Sequence, residues 1–441
     1  MGAWETLPGF RDFYPESCFR RSYLFDIWRR VTEAHGFEAY DGPVLEPLEL
    51  YKRKSGEEIV EQLFAFTDKG GREVALRPEM TPTLARLVGS KAQSLKRPIK
   101  WYTIAENFRY ERPSRGRLRS HFQLNADIYG EAGIGAEAEL LSLLVALFRA
   151  FGLGPEEVRI RLSDRQLWLH FLASEGVAEE DRLPVLSIID KMERVEEAVS
   201  REALEKQIGT RGEALWPLIR ELSEQRDLAG VESFFSKLDG GGEMGGLAKR
   251  LSEWTELLEG LSFRRMDSYV QVDLGIVRGL AYYTGFVFEA FEARGEGRAL
   301  AGGGRYDELV EKLGGPAMPS VGFGFGDVMI ELVLERFGKL PEYDPSVDVY
   351  CVFTRERAEL RQMLPAIQNL REDGFRVDYA LRPTGFGKQF KEANQRRARL
   401  VLICGAEEAD RNVFKLKEMA SGKETEVDAA ELLGKVRGCL R

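Results

Sequence analysis

The stretch from Trp101 to Gly130 has the clearest pattern of apolar and polar positions in the chain. It begins with an apolar run at 101–105 and ends with apolar residues at every second position over 122–128, and both patterns are typical of strands. Five arginines lie between the two runs: Arg109, Arg112, Arg115, Arg117 and Arg119. With Pro113 and Gly116 as turn residues, the pattern predicts a strand, an arginine-rich loop and a second strand.

The residues near the N-terminus are predicted to form a helix followed by an extended segment. Apolar residues recur at helical spacing over 17–34, which predicts an amphipathic helix. The extended segment covers 37–50 and contains Pro43 and Pro47. Proline in a strand favours the edge of a sheet or an interface, because it cannot donate a hydrogen bond to a neighbouring strand.

A hairpin and a second helix are predicted before the central stretch. Residues 62–67 and 73–76 should pair around a Lys-Gly-Gly turn. The helix is expected to start near Thr81, whose hydroxyl is a candidate N-terminal cap. Glu79, just before this start, is a candidate to face an ammonium group.

Helical patterns predominate after Gly130. We predict a helix at 137–151, a strand at 158–162, and a charged, strand-poor helical region over 165–260. Strand patterns return at 269–274 and 286–291. A glycine-rich break inside the helical region lacks the lysine and the preceding strand of a phosphate-binding loop, so a flexible linker is the better interpretation.

The pattern changes again near the C-terminus, where strands and helices alternate. This alternation predicts a separate small α/β domain at 346–441 with a largely parallel sheet. The region has 18 Lys and Arg against 15 Asp and Glu, whereas the whole chain has 63 against 72. One helix, predicted over 386–398, is its basic face and is either a candidate RNA-binding face or a solvated surface; the basic residues assigned to it are Lys388, Lys391, Arg396, Arg397 and Arg399.

Composition narrows the class of protein. The apolar and charged fractions, 44% and 31%, are those of a globular protein. The N-terminal segment does not have the pattern of a signal or transit peptide, and no apolar run is long enough to span a membrane. The four widely spaced cysteines and three histidines predict neither a disulfide framework nor a metal site. We therefore expect a cytoplasmic protein with no membrane partner.

The strand, loop and strand around Arg109 carry the candidate chemistry. Because side chains alternate between the faces of a strand, Arg109 and Glu111 should share one face of the first strand, and Gln123 and Asp127 one face of the second. A guanidinium group binds phosphate oxygens through two parallel hydrogen bonds, so this platform is suited to a polyphosphate nucleotide and a small polar ligand. The alternative is a solvated hairpin whose arginines only keep it soluble.

Four strings, in this order, resemble histidyl-tRNA synthetase, a class II aminoacyl-tRNA synthetase: LRPEMTPT, FRYERPSRGRLRSHFQLNADIYG, VRGLAYYTG and AGGGRYDEL. The resemblance implies an α+β catalytic domain, an antiparallel sheet flanked by helices, formed by residues 1–164 and 261–340. It also implies a helical insertion at 165–260 and an α/β domain of the anticodon-binding type at 346–441. The implied protein is a homodimer that joins L-histidine to tRNA(His) with ATP and Mg²⁺.

The resemblance also implies roles for individual residues. The residues implied to bind histidine are Glu79, Thr81, Gln123, Asp127, Tyr283 and Tyr306. Those implied to bind ATP are Arg109, Glu111, Arg117, Arg119 and His121. Arg109 and Arg278 are predicted to be catalytic, because guanidinium groups that are already in position stabilise the charge that grows on the α-phosphate. A structural ion pair is the alternative for Arg278.

Some positions depart from the family pattern. The acid that recognises imidazole is usually Glu in the family, whereas here it is Asp127. The positions that usually stack the adenine hold His121 and Met329. These departures keep a second hypothesis open, a histidine-binding regulatory subunit of ATP phosphoribosyltransferase without catalysis. A non-catalytic tRNA-binding protein is a third.

Overall fold

The fold is described from a computed structural model. The description covers residues 4–55, 57–192, 195–238, 245–277, 282–294, 297–354 and 356–440. Residues 1–341 form one compact unit and residues 342–441 a second, and each is described by itself.

An eight-stranded sheet is the centre of the first unit. Its strands are β1 (Glu38–Ala39), β5 (Ile99–Phe108), β6 (Ser120–Tyr129), β7 (Val158–Asp164), β8 (Val270–Val272), β9 (Phe286–Glu292), β10 (Ala301–Arg305) and β11 (Ser320–Gly326). They lie in the order β1-β5-β6-β11-β10-β9-β7-β8. All neighbours are antiparallel except the two outermost pairs, β1 with β5 and β7 with β8.

Helices cover one face of this sheet with apolar side chains. The first long helix and the apolar helix after β6 pack against each other and against the sheet through Leu24, Trp28 and Leu144. The helices outside the predicted insertion are α1 (Pro15–Ala34), α2 (Leu48–Ser55), α3 (Thr81–Lys91), α4 (Gly135–Ala150), α11 (Leu309–Lys312) and α12 (Asp327–Arg336). The predicted amphipathic helix therefore forms, and it begins two residues earlier than expected.

A small three-stranded sheet contains the predicted hairpin. It consists of β2 (Leu45–Pro47), β3 (Ala65–Thr67) and β4 (Glu73–Leu76), with β4 in the middle. Pro47 therefore lies on an edge strand, as its chemistry requires. The rest of the predicted extended segment is shorter than expected, because α2 already begins at Leu48.

The predicted strand, loop and strand form the longest pairing of the large sheet. β5 and β6 pair over their whole length, from Ile99 opposite Tyr129 to Phe108 opposite Ser120. The expectation that Arg109 lies within the first strand is wrong, because β5 ends at Phe108 and both Arg109 and Glu111 belong to the loop. Turn formation around the loop ends regular pairing before these residues are reached.

The described part of the region predicted as an insertion contains six helices. They are α5 (Arg165–Ser174), α6 (Glu179–Ile189), α7 (Glu197–Ile208), α8 (Arg211–Ser223), α9 (Leu228–Lys237) and α10 (Gly245–Phe263). α10 is fixed to the end of β7 by a buried polar cluster. Its Arg250 and Trp254 both donate to the fully buried Asp164 carboxylate at 2.9 Å, and the guanidinium lies 3.9 Å from the centre of the Phe286 ring.

The second unit is a five-stranded sheet with helices. Its strands are β12 (Val349–Phe353), β13 (Val377–Tyr379), β14 (Leu400–Cys404), β15 (Val413–Glu418) and β16 (Glu424–Asp428). Its helices are α13 (Arg357–Glu372), α14 (Phe386–Gln395), α15 (Ala406–Asp410) and α16 (Leu432–Leu440). The order is β13-β12-β14-β15-β16, parallel in the first two pairings and antiparallel in the last two, so the sheet is more mixed than predicted.

Two kinds of feature are absent from the described residues. None of their helices is both long and apolar enough to cross a bilayer. Nor do three or more His, Cys, Asp or Glu side chains gather anywhere in the described ranges as a potential metal site.

Candidate active site

One face of β6 forms the floor of the candidate site. Leu124, Ala126 and Ile128 point into the apolar core under the helices, so Gln123 and Asp127 share the opposite face, as predicted. The neighbouring strand β11 carries Gly324 and Gly322 beside these two residues. A methyl group on Gly324 would lie 2.5 Å from the Gln123 amide, and one on Gly322 would collide with the Asp127 carboxyl. Glycine in β11 therefore makes the room that these polar side chains occupy.

Asp127 is the most strongly perturbed acid of this floor. Its side chain is buried and accepts a hydrogen bond from the Tyr306 hydroxyl, which also lies 3.3 Å from the Tyr129 hydroxyl. Burial raises the pKa of Asp127 from 3.8 to about 7; the Tyr306 hydrogen bond opposes this rise, and the negative charge of Glu79 adds to it. Tyr306 and Glu79 therefore both lie close enough to Asp127 to affect its pKa.

Several buried polar atoms in this region have no hydrogen-bond partner among the described residues. They include Asp127 Oδ2, Asn125 Oδ1, Asn107 Oδ1 and the Tyr40 hydroxyl. Asn125 and Asp127 lie on the same face of β6, and Asn107 lies opposite His121 on β5. The Tyr40 hydroxyl is within electrostatic range of Asp127, and burial raises its pKa. Because unpaired buried polar atoms are costly, this arrangement indicates a binding surface for a small polar molecule.

The start of α3 lies beside this surface. Glu79 precedes the helix, and its negative charge helps to raise the pKa values of both Asp127 and Tyr51. Thr81 is the first residue of α3 and is buried, but the expectation that it caps the helix is wrong. The N-terminal cap position is Met80, and it makes no side-chain hydrogen bond to the helix.

Tyr283 lies on the same side of the sheet as Tyr306. Its ring packs with that of Tyr282 at a centroid distance of 4.6 Å, and Tyr282 packs edge-on against Tyr306 at 5.8 Å. A methyl group on Gly304 would lie 2.9 Å from Cδ1 of Tyr283. Tyr283 and Tyr306, both predicted to lie beside the imidazole with Asp127, are therefore linked through the Tyr282 ring.

Arg109 connects this polar surface to an open cavity lined by the arginine-rich loop. Its Nε donates to the carbonyl oxygen of Pro78 at 3.1 Å, next to Glu79, and its charge reaches Arg117. This cavity has a volume of about 590 Å³. Its lining residues are Gln62, Glu111, Arg112, Pro113, Ser114, Arg117 and Arg298.

Two of the predicted ATP-binding residues form an ion pair in this cavity. Arg117 pairs with the Glu111 carboxylate, and burial and the charges of Arg298 and Arg109 lower the pKa of Arg117. Arg119 has a different role: its Nε donates to the Glu111 carbonyl oxygen at 3.1 Å, and its guanidinium lies over the Tyr110 ring. Arg117 is therefore brought to the cavity, whereas Arg119 is not among its lining residues.

His121 lies on the site face of β6 beyond Gln123. Burial lowers the pKa of His121 to about 3, and the charges of Arg109 and Arg11 lower it further. Its imidazole is neutral at physiological pH, so His121 would contact a nucleotide through its ring and not through a positive charge. Arg278, the other residue predicted to be catalytic, lies outside the described residues, and its role stays a prediction.

Three residues of the site were missed from the sequence. Tyr40 reaches the floor because β1 pairs with β5, and Arg298 reaches the cavity from the turn between β9 and β10. Tyr129 could have been predicted from the sequence. It lies two residues after Asp127 at the end of the alternating run, so it should share the face of the strand that carries Asp127.

This arrangement is that of a class II aminoacyl-tRNA synthetase: a mostly antiparallel sheet with a strand, arginine-rich loop and strand beside a polar floor. The family profile described as Histidyl-tRNA synthetase matches residues 9–326, and the one described as Anticodon binding domain matches residues 349–438. The chain belongs to the histidyl-tRNA synthetase family.

Similar proteins cover the whole chain. The Histidine--tRNA ligase of Opitutus terrae is 50% identical over 99% of this chain and 99% of its own. The chloroplastic/mitochondrial Histidine--tRNA ligase of Arabidopsis thaliana is 36% identical over 96% of this chain and 85% of its own. Among solved structures, the histidyl-tRNA synthetase of a Nostoc species has a TM-score of 0.79 at 26% identity, with both chains covered fully.

Proposed function

We propose that this protein is a histidine–tRNA ligase. It activates L-histidine with ATP to histidyl-adenylate and pyrophosphate, and it then transfers histidine to the 3' end of tRNA(His). The observation that carries the proposal is the pairing of two sites: a floor of buried, unpaired polar atoms around Asp127 and an arginine-lined cavity, with Arg109 between them. The close relatives, named as this ligase, support it over the regulatory-subunit hypothesis.

In the first step, a carboxylate oxygen of histidine attacks the α-phosphorus of ATP. A new oxygen–phosphorus bond forms, the bond from this phosphorus to the bridging oxygen breaks, and pyrophosphate leaves. Arg109 would bind the α-phosphate, while Glu79, Thr81 and Gln123 hold the α-amino group of histidine. Fixed positions of the two reactants and of the guanidinium supply much of the rate enhancement.

The imidazole ring is proposed to bind at the buried end of the floor. Asp127 would accept the ring N–H, with Tyr283 and Tyr306 beside it. Because Asp127 is buried, this hydrogen bond forms in a low dielectric, where a charge-assisted bond is stronger than in water. This contact distinguishes histidine from apolar amino acids of similar size.

Mg²⁺ is proposed to enter as part of the MgATP substrate. Glu111 is the only carboxylate among the described residues that line the cavity, and it is already paired with Arg117. Mg²⁺ prefers six oxygen ligands and commonly takes several of them from phosphates and water. The residues present therefore do not fit a protein-built cage for the ion.

The second unit is proposed to bind tRNA, since it matches the anticodon-binding domain. The helix predicted to carry its basic residues is shorter than expected, because α14 ends at Gln395, before Arg396, Arg397 and Arg399. Arg396 and Arg399 pair with Asp378 at 3.1 Å and Asp348 at 3.8 Å, whereas Lys388 and Lys391 are exposed on α14. Exposed lysines are suited to contacts with a phosphate backbone.

The proposed reaction predicts that the protein exchanges labelled pyrophosphate into ATP only when histidine is present. It should also attach histidine to tRNA(His), in an assay of acid-precipitable label. Histidine binding without either activity would support the regulatory-subunit hypothesis instead. Binding of tRNA without exchange would support the non-catalytic tRNA-binding hypothesis.

A homodimer is also proposed. The three-stranded sheet exposes apolar side chains at Leu45 and Phe66, as does Val44 just before β2, and Pro47 lies on its edge strand. A second copy of the chain would remove this apolar surface from water. Light scattering during gel filtration is expected to give twice the chain mass of 49.9 kDa, and a stable monomer would contradict the proposal. The cytoplasmic location stays a prediction.

A further inference from the structure

Arg298 lies at the arginine-rich cavity although it is distant in sequence from the loop that forms most of the lining. It follows β9, in the turn that leads to β10, whereas Glu111, Arg112 and Arg117 come from the loop between β5 and β6. Its charge acts on Arg117 strongly enough to help lower the pKa of that residue. Two separate segments thus place like charges at one cavity.

Met329 of α12 brings these two segments together. A methyl group on Gly116, in the arginine-rich loop, would collide with the Met329 sulfur and would lie 3.7 Å from Arg298 Cδ. A methyl group on Gly297, beside Arg298, would lie 3.8 Å from Met329 Cε. The thioether therefore packs between two glycines, and this contact holds Arg298 next to the loop.

The charges of this cavity are unbalanced in the described part of the chain. Glu111 is its single described carboxylate, and Arg117 already pairs with it. Within the described ranges, Arg298 makes no ion pair, and it is exposed toward solvent. Like charges held close together repel one another, so an anionic ligand that binds there is stabilised by both.

We infer that Arg298 binds the outer phosphates of ATP, and the pyrophosphate that leaves, from the β9–β10 turn. The inference rests on the proposed function and adds a residue from outside the arginine-rich loop to the nucleotide site. Arg298 and Arg117 would grip the β- and γ-phosphates from two sides, while Arg109 lies nearer the α-phosphate. Met329 supplies the packing that positions Arg298 and no charge of its own.

The test compares Arg298→Ala with Arg294→Ala as a matched control. Arg294 is an exposed arginine of the same turn, 3.6 Å from Glu156 and outside the cavity lining. The change at 298 should raise the KM values for ATP and for pyrophosphate in the exchange reaction about 10-fold to 100-fold, as expected for loss of a charged hydrogen bond. The KM for histidine should stay within about twofold, and Arg298→Lys should be intermediate.

Equilibrium binding of MgATP, measured by calorimetry on the same proteins, separates this inference from the proposed function. A wild-type protein that binds MgATP without exchanging pyrophosphate would contradict the ligase activity, while weaker MgATP binding by Arg298→Ala would still support the inference. Equal ATP and pyrophosphate constants for the two alanine variants would overturn it. A parallel rise in the KM for histidine, with a lowered Tm, would assign Arg298 a structural role and overturn it as well.

Discussion

Replacing Gly322 with alanine is expected to lower kcat/KM for histidine about 100-fold while the protein stays folded. The added methyl group would collide with the Asp127 carboxyl and come within 3.0 Å of the Tyr306 hydroxyl. The backbone of β11 is held on both sides by β6 and β10, so the side chains have to move. A displacement of about 1 Å in a substrate-positioning group can cost about 100-fold in rate. Steady-state exchange kinetics at varied histidine measure the effect.

Gly326→Ala is the matched control for this substitution. Gly326 ends the same strand, and a methyl group there would meet no atom of the described residues within 4 Å. Its φ of −83° is open to alanine, so its exchange kinetics should stay within about twofold of wild type. If Gly322→Ala behaved like this control, Asp127 would not be the residue that holds the imidazole ring.

Replacing Asp127 with asparagine is expected to weaken histidine binding and to stabilise the ligand-free protein above pH 7. The amide cannot carry the negative charge that a buried imidazole N–H attracts, so the KM for histidine should rise about 10-fold to 100-fold. The KM for ATP should change little, since Asp127 belongs to the floor rather than to the arginine-lined cavity. Exchange kinetics at varied histidine and ATP separate the two effects.

The stability effect follows from the pKa of Asp127, which is about 7 in the folded protein and 3.8 in the unfolded chain. Between these pH values the folded protein holds a proton that the unfolded chain has lost. The contribution of Asp127 to the free energy of unfolding should therefore decrease as the pH rises from about 4 to about 7, by on the order of 4 kcal/mol, and then stay constant. The groups facing this carboxyl are Glu79, Tyr40, Tyr129 and Tyr306.

Denaturant unfolding at several pH values, without histidine, measures this difference. Wild type and Asp127→Asn should have similar stability near pH 4, and the variant should be the more stable above pH 7. Asp26→Asn serves as a control, because Asp26 is an exposed carboxylate on α1 that pairs with Arg29 at 3.2 Å. A variant that matches wild type at every pH, with an unchanged KM for histidine, would rule out a buried imidazole acceptor at this position.

The floor of the candidate site could be predicted from the sequence because it depends on local periodicity. Residues 122–128 alternate strictly, so the shared face of Gln123 and Asp127 follows from strand geometry alone. The end of the first strand was less predictable. Arg109 still bonds through its backbone to Arg119, but the chain has already left regular pairing, and its place in the loop depends on contacts with Pro78.

Tyr40 and Arg298 could not be predicted, because strand order rather than local pattern brings them to the site. Tyr40 reaches the floor through the parallel pairing of β1 with β5, and Arg298 reaches the cavity through the packing of Met329 between two glycines. Such contacts join segments about 30 or more residues apart in sequence, and the periodicity within one segment cannot predict them. The resemblance to a known family implied roles for other residues and for neither of these two.

The polar cluster at the end of β7 limits how this protein can be shortened. A deletion that followed the predicted limits 165–260 would remove both Arg250 and Trp254 and leave the Asp164 carboxylate alone in an apolar interior. Breaking a buried ion pair from one side costs about 3–5 kcal/mol, a large part of the stability of an ordinary domain. A minimal version of the enzyme therefore has to retain α10, even if the helices before it are replaced by a short connection.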